Sequence, residues 1–360
     1  MNIETIKKEL AHYDGPECTL MEVCGTHTAS IVRNGIPSLL SPRIRLISGP
    51  GCPVCVTVTS YIDRLTELSL KPGNIVYAFG DLLRVKGSAE SLADAKARGG
   101  QVRMLYSPME MLTAAEQDPG RVHIFAAVGF ETTAPVYALM VKEARKKGLR
   151  NVRLLTSLKT MPEVIRWLCR HNGDGSGAEK RDEADGVRRI TGFLAPGHVC
   201  AVTGCGEYRE LAREAGLPFV VSGFEAGEIL ASIYALVKLQ GRGEVRNLYP
   251  QVVREEGNPA AREALCGVFA PAPAAWRGMG VIDHSGLLLR EEYRDLDAGS
   301  GALTEDHIGA GCRCPEVLMG RAEPTDCPMF RTACTPMSPH GSCMVSQEGT
   351  CHNYYVAGIA

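Results

Sequence analysis

The chain has 360 residues, 45% of them apolar, and a formal net charge of −2. That length suits two or three domains with real cores, and the near-neutral balance argues against a nucleic-acid or membrane-surface partner. No window supplies the roughly 18 apolar residues of a membrane span, and the N-terminus lacks the apolar run and cleavage site of a signal peptide, so a cytoplasmic location is expected.

MNIETIKKELAHYDG reads as a short amphipathic helix, followed by the apolar run TLMEV. From about Arg45 to Gln117, IRLIS, NIVYAF and QVRMLY read as strands. VTVTSYIDRLTELSL, SAESLADAKARG and SPMEMLTAAEQ read as the helices between them. The pattern restarts at Val122: VHIFAAVGF, VRLLTS, ITGFLAPG and PFVVSG are strands. Helices follow at about Ala134 to Lys147, over MPEVIRWLCRH and over EAGEILASIYALVKLQ. Short apolar strands alternating with helices indicate parallel α/β units.

Asn172 to Arg189 is polar, glycine-rich and charged, the composition of a solvated loop or disordered insertion. Gln251 to Ala275 is a Pro/Ala/Gly-rich transition into an irregular C-terminal region dense in cysteine. The expected division is an N-terminal segment 1–44, α/β units at 45–120 and 121–250, and a C-terminal region 251–360.

Fourteen cysteines in a reducing compartment point away from structural disulfides. Cys18, Cys169, Cys200 and Cys266 read as buried small hydrophobes, with Cys205 unassigned. The rest cluster, which in such proteins means metal or redox chemistry. Cys312, Cys314, Cys327, Cys334, Cys343 and Cys351 fall near the C-terminus, most of them flanked by proline or glycine. Such residues bend the backbone around a cluster and supply amides to its sulfurs. Four thiolates suit a [4Fe–4S] cluster or a structural zinc, and six candidates leave two spare. Neither the paired C-x2-C of zinc ribbons nor the bacterial ferredoxin run is present.

Gly49-Pro50-Gly51-Cys52-Pro53-Val54-Cys55 directly precedes a predicted helix. A C-x-x-C there has a thiol depressed by the helix dipole, fit for disulfide exchange or metal binding; half a zinc site or a buried turn is the plainer reading. In Cys24-Gly25-Thr26-His27-Thr28, thiol and imidazole can share one ion or one can activate the other, although ordinary packing is as simple. Glu131 and Glu225 follow strands and are candidate acids or first-turn helix carboxylates. His198 in Pro196-Gly197-His198 is a candidate ligand or base, or a structural histidine. Asp81 with Arg84 is a candidate buried salt bridge. Nucleotide-binding glycine motifs and Gly-x-Ser-x-Gly are absent.

Taken in order, CGTHT, GPGCPVC, FGDLLRV, GFETTAP, PGHV, GFEAGEIL, WRGMG and CPMFRTACTPMSPHGSCMVSQEGTCHNYY resemble the HypD family, hydrogenase formation proteins of [NiFe]-hydrogenase maturation. The resemblance spans nearly the whole chain. It implies two parallel-sheet α/β domains around a cleft plus an irregular C-terminal [4Fe–4S] region. It implies a small HypC-type chaperone as partner, on which with HypD the Fe(CN)2CO unit is assembled, and a HypE-type cyanide donor. The family spacing C-x14-C-x6-C-x16-C falls on Cys312, Cys327, Cys334 and Cys351, leaving Cys314 and Cys343 spare. The family's iron cysteine falls on Cys24, with His27 beside it, and its redox dithiol on Cys52 and Cys55. Lys86, Ala226, Gly227 and the insertion from Asn172 depart from the family pattern without touching a proposed ligand.

The expected function is a redox-active assembly scaffold, monomeric within heteromeric complexes, more than a turnover enzyme. Its cargo is Fe(II) carrying cyanide and carbon monoxide. The rival readings are a free-standing iron–sulfur disulfide reductase and a zinc-stabilised binding module.

Overall fold

The computed structural model describes residues 2–172 and 189–359. The expected insertion lies outside the described residues except at its ends, where the Asn172 amide side chain bonds both N–H and C=O of Ile190, each at 2.7 Å. Eleven strands run through the described residues. They are β1 (Cys18–Glu22), β2 (Ile44–Ser48), β3 (Asn74–Ala78), β4 (Val102–Met104), β5 (Val122–Gly129) and β6 (Val152–Lys159). β7 (Gly192–Pro196), β8 (Phe219–Ser222), β9 (Val245–Asn247), β10 (Phe269–Trp276) and β11 (Gly280–Leu289) follow.

These strands form two sheets, and the class is α/β as expected. One is five-stranded and all parallel in the order β2-β1-β7-β8-β9; the other is six-stranded in the order β10-β11-β6-β5-β3-β4. Sheet membership does not follow the sequential units 45–120 and 121–250. β2 pairs with β1, while β3 to β6 share a sheet and β7 to β9 join the other. The chain therefore crosses between sheets after β2, after β6 and after β9. The Gly49–Cys55 motif lies on the first crossover.

Both faces of the central strands β1, β3, β5, β6, β7 and β8 are covered, so these are buried almost throughout, while the edge strands β4 and β9 are more exposed. The period-2 alternation divides them between cores. Leu20, Leu194 and Val220 face the helix Ala226–Lys238, packing with its Ile229, Ile233 and Leu236. Met21, Phe193 and Phe219 face the opposite core, which runs on through Cys52, Cys55 and the C-terminal cysteines. In the second sheet Ile75, Tyr77, Phe125 and Ala127 bury one face, and Val76, Ala78, Ile124 and Ala126 the other.

The strands β10 and β11 form an antiparallel hairpin in the region expected to be irregular. β10 carries Pro271 and Pro273, which remove ladder donors and read as loop. It is tolerated because β10 is the sheet edge, with a register shift between Ala272 and Ala274.

Strand order places the motifs. In an open parallel sheet, ligands bind beyond the strand C-termini where the order reverses. The first sheet reverses between β1 and β7, which lead into Cys24-Gly25 and Gly197-His198. The second reverses between β3 and β5, which lead into Phe79-Gly80-Asp81 and Phe130-Glu131.

Phe193 is fully buried on a central strand and stacks on Phe219 with centroids 4.8 Å apart. Phe193→Ala should cost about 3–5 kcal/mol by transfer and cavity terms. The urea midpoint should fall with the slope unchanged. An unchanged midpoint would contradict this packing.

Candidate functional site

At the end of β1 the chain turns into the helix Gly25–Arg33. Cys24 takes the N-cap position with extended backbone, yet its side chain makes no capping bond. Glu22 satisfies that end instead. One carboxyl oxygen accepts the Cys24 N–H at 2.9 Å and the other accepts the Thr28 hydroxyl. The Thr26 and His27 N–H groups at the helix start act on the Cys24 sulfur and favour its thiolate, but burial outweighs them. Burial pushes Glu22 up to about 7. Burial, reinforced by the charge of Glu22, pushes Cys24 up to about 12. Without a cation beside it, Cys24 is a neutral thiol.

His27 sits one turn in, fully buried. Its Nε2 lies 3.0 Å from the Gly223 carbonyl, which assigns the proton there. Nδ1 is buried with no partner among the described residues. Burial lowers this histidine to about 4, so the ring is neutral and Nδ1 carries a free lone pair. Phe224 stacks on His27 at 4.7 Å and on the exposed His198 at 4.0 Å. The structure thus joins the CGTHT, PGHV and GFEAGEIL segments around one aromatic ring.

The first crossover closes over the same strand end. Gly49 N–H donates to the Glu22 carbonyl at 2.7 Å, and Gly25 N–H donates to the Gly51 carbonyl at 3.1 Å. A Cβ on Gly51 would sit 2.3 Å from the Cys24 nitrogen and 2.5 Å from the Val23 carbonyl carbon, both backbone atoms. Only glycine allows this approach. Cys52 and Cys55 are joined as a disulfide with Cα atoms 5.2 Å apart, and both are buried. The motif is not at a helix N-terminus as expected. It occupies a turn, and the helix Thr59–Leu70 begins four residues after Cys55. The helix dipole acts within its first turn and does not reach these sulfurs.

Ser342 links this turn to the C-terminal cysteines, a role with no signal in the sequence beyond its place beside Cys343. Its hydroxyl donates to the Cys55 carbonyl at 2.7 Å and lies 3.9 Å from Cys314 Sγ. Cys55 Sγ lies 3.9 Å from the Ser342 carbonyl. All six C-terminal cysteines line one small void of about 10 Å³. Cys312, Cys314, Cys343 and Cys351 influence one another in series, each thiol shifting the next. The neighbouring Cys314 thiol, together with burial, pushes the Cys312 thiol up. Backbone N–H groups point at sulfur from His340 to Cys334 at 3.3 Å and from Cys351 to Cys343 at 3.2 Å. No three His, Cys, Asp or Glu side chains among the described residues are already arranged as a metal set. As a donor set, six unbridged thiols with amide donors fit a thiolate-ligated cluster or zinc.

The remaining candidates divide. Glu131 is buried and lies outside the first turn of the helix that follows it; it binds instead at the N-terminus of the helix Met161–Arg170. One oxygen accepts the Met161 N–H at 2.8 Å, and the other has no partner among the described residues. Glu225 is the plainer case, the N-cap of the helix Ala226–Lys238 in a reciprocal box with Glu228. Asp81 and Arg84 are not ion-paired. Asp81 accepts the Ser346 hydroxyl at 3.2 Å, and Arg84 donates to the Pro336 carbonyl, so both tie into the cysteine region. Cys18 and Cys200 are buried as expected, and Cys205, unassigned from sequence, is buried too, whereas Cys266 is exposed and Cys169 partly so.

Burial raises Glu131 from 4.5 to about 8. Between those values the folded state holds a proton that the unfolded state has lost. This contribution is therefore fully present below 4.5 and lost as pH rises through 8. Glu131→Gln removes it. Wild-type stability should fall between pH 5 and 8 relative to the variant, by on the order of 2–4 kcal/mol. Parallel pH profiles from urea unfolding would contradict the buried, protonated assignment.

Residues 1–358 match the family described as HypD: Hydrogenase formation hypA family. The chain is 40% identical to hydrogenase maturation factor HypD of Rhodobacter capsulatus, over 95% of this chain and 89% of the relative. It is 39% identical to hydrogenase maturation factor HypD of Azotobacter vinelandii, over 94% and 89%. It is 37% identical to that of Escherichia coli (strain K12), over 93% and 88%. With the motifs gathered at the strand ends and the match running almost end to end, this chain belongs to the HypD family of hydrogenase maturation factors.

Proposed function

We propose that this chain is the cytoplasmic scaffold on which, together with a HypC-type chaperone, the Fe(CN)2CO unit of [NiFe] hydrogenase is assembled, with a HypE-type protein as cyanide donor. The observation that carries this reading is the closure of Gly51 on the backbone of Cys24. It fixes the Cys24 thiol and a buried dithiol turn at one strand-order reversal of the first sheet.

Iron is the cargo. A soft thiolate from Cys24 and a second from the partner suit low-spin Fe(II) with strong-field diatomic ligands. The neutral His27 imidazole, oriented by the Gly223 carbonyl, is a further donor beside it. Cys24 is a neutral thiol in the metal-free chain, so iron capture releases its proton. Buried surroundings favour cargo of low net charge, and Fe(II) with two cyanide anions and one carbon monoxide is neutral as a unit.

Cys312, Cys327, Cys334 and Cys351 would hold a [4Fe–4S] cluster, which when bound supplies electrons one at a time. The Cys52/Cys55 couple exchanges two electrons, with two thiol protons gained when the disulfide opens. The Ser342 contacts give the two thiol regions a short hydrogen-bonded connection through protein. Burial of both sulfurs of the disulfide counts against a free-standing disulfide reductase, because a protein substrate would need access to an exposed thiol.

Cys24→Ala, co-produced with the HypC-type partner, should lose the iron–cyanide infrared bands while keeping the visible absorption of the C-terminal cluster. Bands that persist would remove Cys24 from the iron's ligand set.

A further inference from the structure

A second polar site lies away from Cys24, where β6 changes neighbours. Residues Leu158 and Lys159 pair with Leu287 and Gly286 of β11. Two residues earlier the partner is different: Thr156 N–H donates to the Ser300 hydroxyl at 2.9 Å, and Leu154 bridges to Asp297. The gap between the two pairings is a cavity of about 50 Å³ lined by Tyr61, Thr156, Ser157, Lys159, Ser300 and Thr304, among others.

Lys159 is 2% exposed. Among the described residues its ammonium has one hydrogen-bond acceptor, Ser157 Oγ at 2.9 Å, and no carboxylate partner. Its remaining donors are unused, and the Trp276 ring lies under it at 5.7 Å. Thr156 Oγ1, also buried and lining the cavity, has no partner among the described residues. A buried ammonium without a counter-charge is costly. Burial and the neighbouring Arg277 guanidinium lower Lys159 to about 7.

The charge count around it is uneven. Two buried cations, Lys159 and Arg277, are set against one carboxylate, Asp306, which lies 3.9 Å from Arg277 and also accepts the N–H groups of Thr59 and Gly278. One positive charge is left over, which a single negative charge would balance. A water-sized position needs about 10–15 Å³, so this cavity holds only a few heavy atoms.

We propose that this cavity is a binding site for a small monoanionic carboxylate, of the size of formate or acetate, held by the Lys159 ammonium and the Thr156 hydroxyl. The site stands on its own geometry and does not depend on the assignment of Cys24. It does touch the dithiol crossover: Ser157 Oγ lies 3.4 Å from Thr57 Oγ1, which donates to the Pro53 carbonyl inside the Cys52–Cys55 turn at 2.9 Å. Arg277 Nε also donates to the Thr57 carbonyl at 2.9 Å. Occupancy of the cavity is thus felt at Thr57, two residues from Cys55 and one hydrogen bond from Pro53.

The chain has two tryptophans, so a Trp167→Phe background leaves Trp276, beside Lys159, as the reporter. Sodium formate and sodium acetate are titrated into the full chain at constant ionic strength, with chloride and inorganic phosphate as controls. A saturable change in Trp276 fluorescence with the carboxylates, and none with the controls, is expected. Lys159→Met should weaken it at least 10-fold. Thr156→Val, close to isosteric and safer for folding, should weaken it several-fold. The proposal is overturned by the absence of saturation with either carboxylate or by an equal response to chloride or phosphate. Undiminished binding in a folded Lys159→Met, or in Thr156→Val, overturns it as well.

Discussion

The structure depends on one close approach, that of Gly51 to the backbone of Val23 and Cys24. A side chain at Gly51 would overlap main-chain atoms that cannot move without unpairing β1. Through that contact the first crossover is pinned to the end of the strand that precedes Cys24. The dithiol turn lies on the crossover, Ser342 bonds to the turn, and the C-terminal cysteines pack behind Ser342. A second glycine repeats the device on the other side: a Cβ at Gly25 would meet the Glu348 backbone oxygen at 2.7 Å. Four segments far apart in sequence are thereby held within one shell of contacts.

Burial sets the chemistry of that shell. Glu22, Cys24 and His27 are each pushed toward the uncharged form, as are Glu131 and Lys159 at a greater distance. A region with so little fixed charge does not attract an ion by field alone. It does reward a metal that converts a neutral thiol to a bound thiolate and carries neutral or diffuse ligands. Glu22 braces the strand-to-helix turn that presents the thiol: its carboxyl group accepts the Cys24 N–H and the Thr28 hydroxyl.

Much of this was legible in the sequence where one physical cause dominates. The apolar strands and amphipathic helices follow from period alone, and the ordered motifs lead to the family. Pairing across the two sheets was not legible, because period-2 burial is the same whichever sheet a strand joins. This is why β2 and β3, adjacent in sequence, lie in different sheets. The β10–β11 hairpin was hidden by Pro271 and Pro273, which only an edge position tolerates. Asp81 and Arg84 have the spacing of an ion pair, but each reaches a different part of the C-terminal region. Lys159 gave no local signal, since its isolation comes from where β6 exchanges partners. The six C-terminal cysteines were found by composition, but they line a common void, so their choice as ligands rests on the family spacing.

The C-terminal assignment is the part of the scheme on which the redox role of the scaffold rests. Metal and acid-labile sulfide analysis of anaerobically purified protein tests it most directly. About four irons and four sulfides per chain are predicted. One zinc with no iron would contradict it.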